Sequence, residues 1–258
     1  MKSSTGESKN IEHKIYITGD YPIVAEYAEM CADSGFKVFI PNYDTSDRKS
    51  HPKKRNIQTT NTIPANISIA IELTNIDLET KRSNLEKLDK KIPPEYPILS
   101  SSITVTATEQ ASWITNKYRL VGISALPTLV NKPLVEVAPT VYSPKETIKT
   151  VSKFFALLGK EIEIVQDRIG MVYPRVICRV INEAFCAITE DITKPEDLDT
   201  ALKYGVNFPM GPLEWAEKIG FDQIIAVISA LKNDISQEHY NISPLLKQMS
   251  LIRSNNKI

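Results

Sequence analysis

The chain has 258 residues, 42% of them hydrophobic and 24% charged, an ordinary balance for a globular protein long enough to build two cores. Lys plus Arg and Asp plus Glu number 31 each, so no net field draws the protein to nucleic acid or to a membrane surface. The three cysteines, Cys31, Cys178 and Cys186, lack metal-ligand spacing, and their odd count opposes a disulfide framework, which fits a reducing cytoplasm.

The polar opening MKSSTGESKN has no apolar run of the kind a secretory signal needs, and residues 1–12 read as a disordered tail. No later stretch approaches a membrane span. His13 to Thr18 reads as a strand, Gly19 as a turn, Pro22 to Ser34 as a helix capped by Gly35, and Phe36 to Ile40 as a second strand. A βαβ opening of this kind predicts a dinucleotide-binding fold. The dinucleotide fingerprint, however, needs three glycines, for the tight turn, for the approach of the pyrophosphate and for close helix packing. Gly19 supplies the first, while Tyr21 and Val24 stand at the second and third. The acidic position at the end of the second strand is Asn42, with Asp44 as a displaced substitute.

From Tyr43 to Asn66 the chain is polar and irregular, and Arg48, Lys49, Lys53, Lys54 and Arg55 form a basic run that reads as a solvated loop or as a contact for phosphates. Ser68 to Leu73 is a buried strand, and Asp77 caps a helix carrying Leu78, Lys81, Leu85 and Leu88 that Pro93 and Pro94 end. Ile98 to Thr106 is a strand running into a Ser-rich turn, and Leu120 to Leu126 and Leu134 to Val137 are adjoining strands. Ser143-Pro144-Lys145-Glu146 has the form of a capping box, opening a helix to Leu158 that Gly159 closes. A last strand, Glu161 to Val165, places a domain boundary near Gln166, dividing the chain into segments 13–166 and 167–258.

The second segment is helical. Met171, Val172, Val176, Ile177, Val180, Ile181, Ala184, Phe185 and Ile188 recur at three- and four-residue spacing, predicting a long helix with a wide apolar face that must be buried. Thr193 and Glu196 form a second capping box, Gly205 closes the helix in a left-handed conformation, and Pro209-Met210-Gly211-Pro212 turns the chain into a short helix ended by Gly220. An apolar helix to about Leu231 and the segment Ser243 to Met249 complete the chain.

The pieces Asp167-x-x-Gly170, Arg175, Asn182-Glu183-Ala184, Glu196-Asp197-Leu198-Asp199-x-Ala201, Pro209-Met210-Gly211-Pro212 and Ile219-Gly220-x-Asp222, in this order, resemble the C-terminal domain of the 3-hydroxyacyl-CoA dehydrogenases. The resemblance implies an α/β fold: a Rossmann-like doubly wound sheet, then an all-α domain that forms the homodimer interface and one wall of an acyl-CoA cleft. It implies NAD as cofactor, held by Gly19, Asp44 and Lys81, with Ile76 in place of a cofactor-binding glutamate. It assigns the catalytic serine to Ser101 and the glutamate that orients the catalytic histidine to Glu136. The histidine itself is Ser124, and a serine hydroxyl is no general base near neutral pH without a base of its own. None of His13, His51 and His239 lies near this segment in sequence. The two asparagines that the resemblance places near the site are replaced as well, at Pro127-Thr128 and at Pro174.

Fold signals are thus kept while site signals are lost. The expectation is a catalytically impaired relative retained for binding an acyl-CoA or a partner enzyme. The alternatives are an active NAD-dependent dehydrogenase using Glu136 or a relocated histidine as base, and a purely structural dimeric subunit.

Overall fold

The computed structural model describes residues 14–43, 54–234 and 240–255. The expected tail, the three histidines, Asp44, Arg48, Lys49 and Lys53 lie outside them. Eight strands form one sheet: β1 (Lys14–Gly19), β2 (Lys37–Pro41), β3 (Ile57–Thr60), β4 (Ile69–Leu73), β5 (Ile98–Ser101), β6 (Leu120–Ile123), β7 (Leu134–Pro139) and β8 (Glu161–Ile164). Their order is β3-β2-β1-β4-β5-β6-β7-β8, and every pair is parallel except β6 with β7. The order reverses at β1, so the switch point where such sheets take ligands falls between β1 and β4.

Alternation along the strands feeds two cores, as a sheet covered on both faces requires. Ile15, Ile17, Ile71, Leu99 and Val121 pack with α1 (Ile23–Asp33) and α4 (Lys145–Leu157). Tyr16, Ala70, Ile98 and Leu120 pack with α2 (Leu78–Lys91) and α3 (Ala107–Ser112) on the other side. A third core joins Ile103, Leu126 and Ala138 to α5 (Tyr173–Thr189), α7 (Pro212–Ile219), α8 (Phe221–Asp234) and α9 (Pro244–Asn255). Between α5 and α7 lies α6 (Pro195–Gly205).

Several local expectations give way to tertiary demands. The irregular stretch 43–66 contains β3, which pairs with β2 from Val38↔Ile57 to Pro41↔Thr60; its polar sequence hid it because an edge strand has one open side. The Ser-rich turn after β5 leads into α3, too short to show a period. Neither capping box forms. Ser143 Oγ instead meets Thr140 N at 3.0 Å and Leu120 O at 3.0 Å, and Thr193 Oγ1 donates to Lys194 O. Gly205 ends α6 as a helical residue, and the left-handed position is Asn207 at φ 58°. The face of α5 is not wholly buried, because Val172 and Val176 are 54% and 57% exposed.

Side chains from distant segments do the capping. Both oxygens of Asp167 accept N–H groups of α3, from Ala107 and Thr108 at 2.7 Å each. The Asp199 carboxylate accepts from Leu213 and Glu214 at the start of α7, and a Cβ on Gly211 would fall 2.0 Å from Asp199 Cγ. A side chain there would have to displace the Asp199 carboxylate from the start of α7. The motif that looked like a turn is a fitted joint between two helices.

Candidate functional site

The ends of β1, β4, β5 and β6 meet α8 in a buried polar network. Asp20, the residue after β1, accepts on Oδ2 from Asn75 N at 2.7 Å, Ile76 N at 3.1 Å and Gln223 Nε2 at 2.8 Å. Asn75 donates through Nδ2 to Ala125 O at 3.0 Å and to Gln223 Oε1 at 2.9 Å. Ser101 Oγ closes the network, donating to Asn75 Oδ1 at 2.6 Å with Ala125 O 3.3 Å away. Asn75, Ser101 and Gln223 are all buried, so these bonds replace water that would otherwise have to solvate them.

Sequence reasoning missed Asp20, Asn75 and Gln223. Gln223 did carry a signal, being a polar residue on the stripe of α8 that otherwise reads Ile224, Val227, Ile228 and Leu231. Asp20 also sits inside the fingerprint turn, where its carboxylate could have been weighed against the phosphate expected there.

Gly19 ends β1 with φ 135°, and a Cβ there would come within 2.4 Å of the Leu73 carbonyl carbon. Its N–H donates to Tyr43 Oη at 3.1 Å, and the same hydroxyl donates back to Gly19 O at 3.0 Å. The Tyr21 ring packs 5.6 Å from that of Tyr43 at 58°. Burial holds the Tyr43 phenol well above its ordinary value, so it stays a neutral donor. The Gly19 N–H is therefore already hydrogen-bonded within the fold.

Lys81 is not the exposed helical lysine its sequence context implies. It is fully buried, paired with the equally buried Glu72 Oε2, and donates to Thr74 O at 2.7 Å. Glu72 also accepts from Thr74 N, Asn84 Nδ2 and Ser100 Oγ. The ammonium is thus paired inside the fold.

Ser124 and Glu136 do come together, on opposite strands of the antiparallel pair, with Ser124 N donating to Glu136 O at 3.0 Å. The Glu136 side chain points to the start of α5, where its two oxygens accept from Val172 N at 2.9 Å and Tyr173 N at 2.7 Å. A carboxylate at a helix N-terminus satisfies free N–H groups and the helix dipole together. Pro174 fits the first turn of α5, where no N–H is needed. A further tie crosses the mouth: Glu26 Oε2 on α1 accepts from Thr128 N at 2.8 Å, with Thr128 at φ 77°.

Two cavities of opposite charge flank this region. One of about 590 Å³ lies between β1, β2 and α2; Lys87, Lys90 and Lys91 line it with no acidic residue. The other, of about 600 Å³, lies between the end of β4, the turn before α3 and α8; Glu109, Asp222 and Asp234 line it with no basic residue. No group of three or more potential metal ligands occurs among the described residues, and no described helix is long and apolar enough to cross a membrane.

Comparison with known proteins gives a consistent answer. Residues 44–168 match the sequence model of the 3-hydroxyacyl-CoA dehydrogenase NAD binding domain, and residues 170–257 match that of the C-terminal domain. A probable 3-hydroxybutyryl-CoA dehydrogenase of Bacillus subtilis is 31% identical over 180 residues, covering 70% of this chain and 63% of the relative. A 3-hydroxybutyryl-CoA dehydrogenase of Bradyrhizobium diazoefficiens is 28% identical over 182 residues, covering 70% and 62%. The matched part thus spans a little under two thirds of these curated relatives. Among solved structures, an (S)-3-hydroxybutyryl-CoA dehydrogenase of Ralstonia eutropha superposes with TM-score 0.75 at 23% identity, covering 93% of this chain and 94% of that one. M. tuberculosis FadB2 superposes with TM-score 0.81 at 19% identity, covering 93% of each chain; both likenesses speak to fold. The matched domain makes NAD the cofactor of the family.

Two predictions follow from the geometry. Lys81→Met strands the buried Glu72 carboxylate, and urea unfolding should show a loss of about 3–5 kcal/mol, whereas a loss under about 1 kcal/mol would mean that the pair is not buried as described. Burial raises the Glu26 pKa above its ordinary 4.5, against the lowering effect of the Thr128 N–H bond. The folded state then binds this proton more tightly than the unfolded chain, so wild-type stability falls as pH rises through that window. Glu26→Gln has no such cost, and its urea midpoint should gain on wild type as pH rises from the ordinary glutamate range upward.

Proposed function

We propose that this chain, which belongs to the 3-hydroxyacyl-CoA dehydrogenase family, keeps the family's architecture without its hydride-transfer chemistry and acts as a non-catalytic binding protein. The observation that carries this reading is the occupation of the cofactor turn by the protein's own groups. Gly19 N–H is held by Tyr43, and Asp20 places a carboxylate beside the same turn, where a pyrophosphate would meet like charge. The residues at the head of β1 do not fit a dinucleotide.

The acid–base arrangement supports the same reading. Ser124 stands where the family's histidine is expected, and Glu136 has both oxygens committed to α5, which leaves it poorly placed to take a proton from an alcohol. Ser101, expected to reach the reacting hydroxyl, donates inward to Asn75. An active enzyme using Glu136 as base would have to break the bonds that start α5.

As a binding protein, it would divide into a degenerate dinucleotide-binding domain at 13–166 and a helical domain at 167–258. The lysine-lined cavity beside α2 suits the phosphates of an acyl-CoA, the ligand class of the family, and a partner enzyme is the other expected ligand. Val172 and Val176, open on α5 beside Arg175 and Arg179, suit a homodimer contact through the helical domain. The unpaired thiols Cys31 and Cys178, both buried, suit a reducing cytoplasm.

Titration of the purified chain with NADH, followed by nicotinamide fluorescence with and without acetoacetyl-CoA, should give no saturable binding and no loss of NADH. Stoichiometric consumption of NADH would overturn the reading. Gel filtration at micromolar concentration should give a dimer for wild type and a monomer for Val176→Asp; a wild-type monomer would remove the dimer from the proposal.

A further inference from the structure

The connection from β3 to β4 leaves part of the sheet without its expected cover. A crossover between parallel strands ordinarily carries a helix, and a sheet of this class is covered on both faces. Here the connection is the loop 61–68, and none of it is helical. On this side α2 packs on β1 and β4, and α3 packs on β6 and β7. Phe39 of β2 is accordingly only half-buried, and Gln58 of β3 is exposed. The cavity of about 590 Å³ opens on the same face, where Tyr16, Pro41, Ile63 and Leu88 give it apolar surface.

Register fixes what this face presents. Tyr16 pairs with Phe39 and Phe39 with Gln58, and partners on neighbouring parallel strands share a face. Two residues earlier in each strand, Lys14 pairs with Lys37, so two lysines stand side by side on that face, an arrangement that costs stability unless an anion joins it. Lys87, Lys90 and Lys91 add three more from α2. None of these five pairs with a carboxylate among the described residues, and no acidic residue lines the cavity. In a chain whose charges balance, the face is a local concentration of one sign. Lys14 and Lys37 also lie outside the lining of the cavity, so a ligand sized to the cavity would leave them unpaired. An occupant that runs along the face reaches both groups.

We propose that this open face is the docking surface for an amphipathic helix of a partner protein, one with acidic residues flanking its apolar stripe. The helix supplies the layer that the loop 61–68 lacks. Its stripe covers Phe39, Pro41 and Ile63, and its carboxylates face the five lysines. A basic helix would meet like charge along the same wall, so the face selects by sign as well as by shape. The inference rests on the reading of the chain as a binding protein and states what its partner presents.

The test is titration of the full chain at about pH 7 with a labelled, blocked helical peptide of about 18 residues, followed by fluorescence anisotropy, in which glutamates flank leucines set at three- and four-residue spacing. The peptide should bind saturably, and raising the salt from about 0.05 M to about 0.3 M should weaken it about tenfold. A peptide of the same composition with its leucines scattered around the helix should bind about tenfold more weakly, and one with lysines in place of the glutamates should not bind. The triple variant Lys87→Gln, Lys90→Gln, Lys91→Gln changes exposed residues and should melt as wild type does. It should lower the affinity about tenfold and flatten the salt dependence, whereas Ile63→Ser should lower the affinity about fivefold with the salt dependence unchanged. Equal binding by the triple variant or by the scattered peptide would overturn the proposal. Tighter binding of a single-stranded oligonucleotide, or self-association that the triple variant abolishes, would give the face to another occupant and overturn it too. Failure of the peptide to bind, with no consumption of NADH, would overturn the docking surface alone, whereas NADH oxidation in the presence of acetoacetyl-CoA would remove the reading on which it rests.

Discussion

Oδ2 of Asp20 takes three N–H donors, two from the backbone at the end of β4 and one from Gln223 on α8, and the mouth of the sheet is arranged around that point. A half-buried carboxylate oxygen with three donors is well satisfied, so the arrangement ties the helical layer to the strand ends. Ser101, Asn75 and the Ala125 carbonyl extend the same network across β5 and β6. Polar side chains at the strand ends thus bond to one another and to α8. Tyr43 on Gly19 and Glu26 on Thr128 repeat the pattern at the two neighbouring edges.

The architecture was legible because its signals are local or periodic. Gly19 and Gly220 take the positive φ that their turns require, Pro212 opens α7, and the apolar runs at 15–17 and 69–73 give buried strands. The capping boxes failed for a shared reason. A box describes what a helix end would do alone, and tertiary neighbours offered Ser143 and Thr193 other partners. Strand β3 and helix α3 were missed because one is a polar edge and the other is a single short stretch.

The site was less legible because its meaning lies in pairs far apart in the chain. Lys81 looked like a helical surface lysine until Glu72, nine residues earlier on the adjoining strand, was seen to take its charge into the interior. Glu136 could be aligned with a catalytic role, but only the fold shows its oxygens on Val172 and Tyr173. The sequence did make the substitutions at Tyr21, Ser124 and Pro174 visible. It could not say that Asp20 would bond to Asn75, Ile76 and Gln223, or Tyr43 to Gly19.

The anchoring of α5 also constrains how the chain can assemble. Its first turn hangs on Glu136, 36 residues earlier, while Asp167 reaches back to Ala107 and Gly170 N to Ile103 O. The start of the longest helix is completed only when β7 is in place. A fragment cut near residue 170 would therefore begin with a helix end that has lost the Glu136 carboxylate on which its first N–H groups rest.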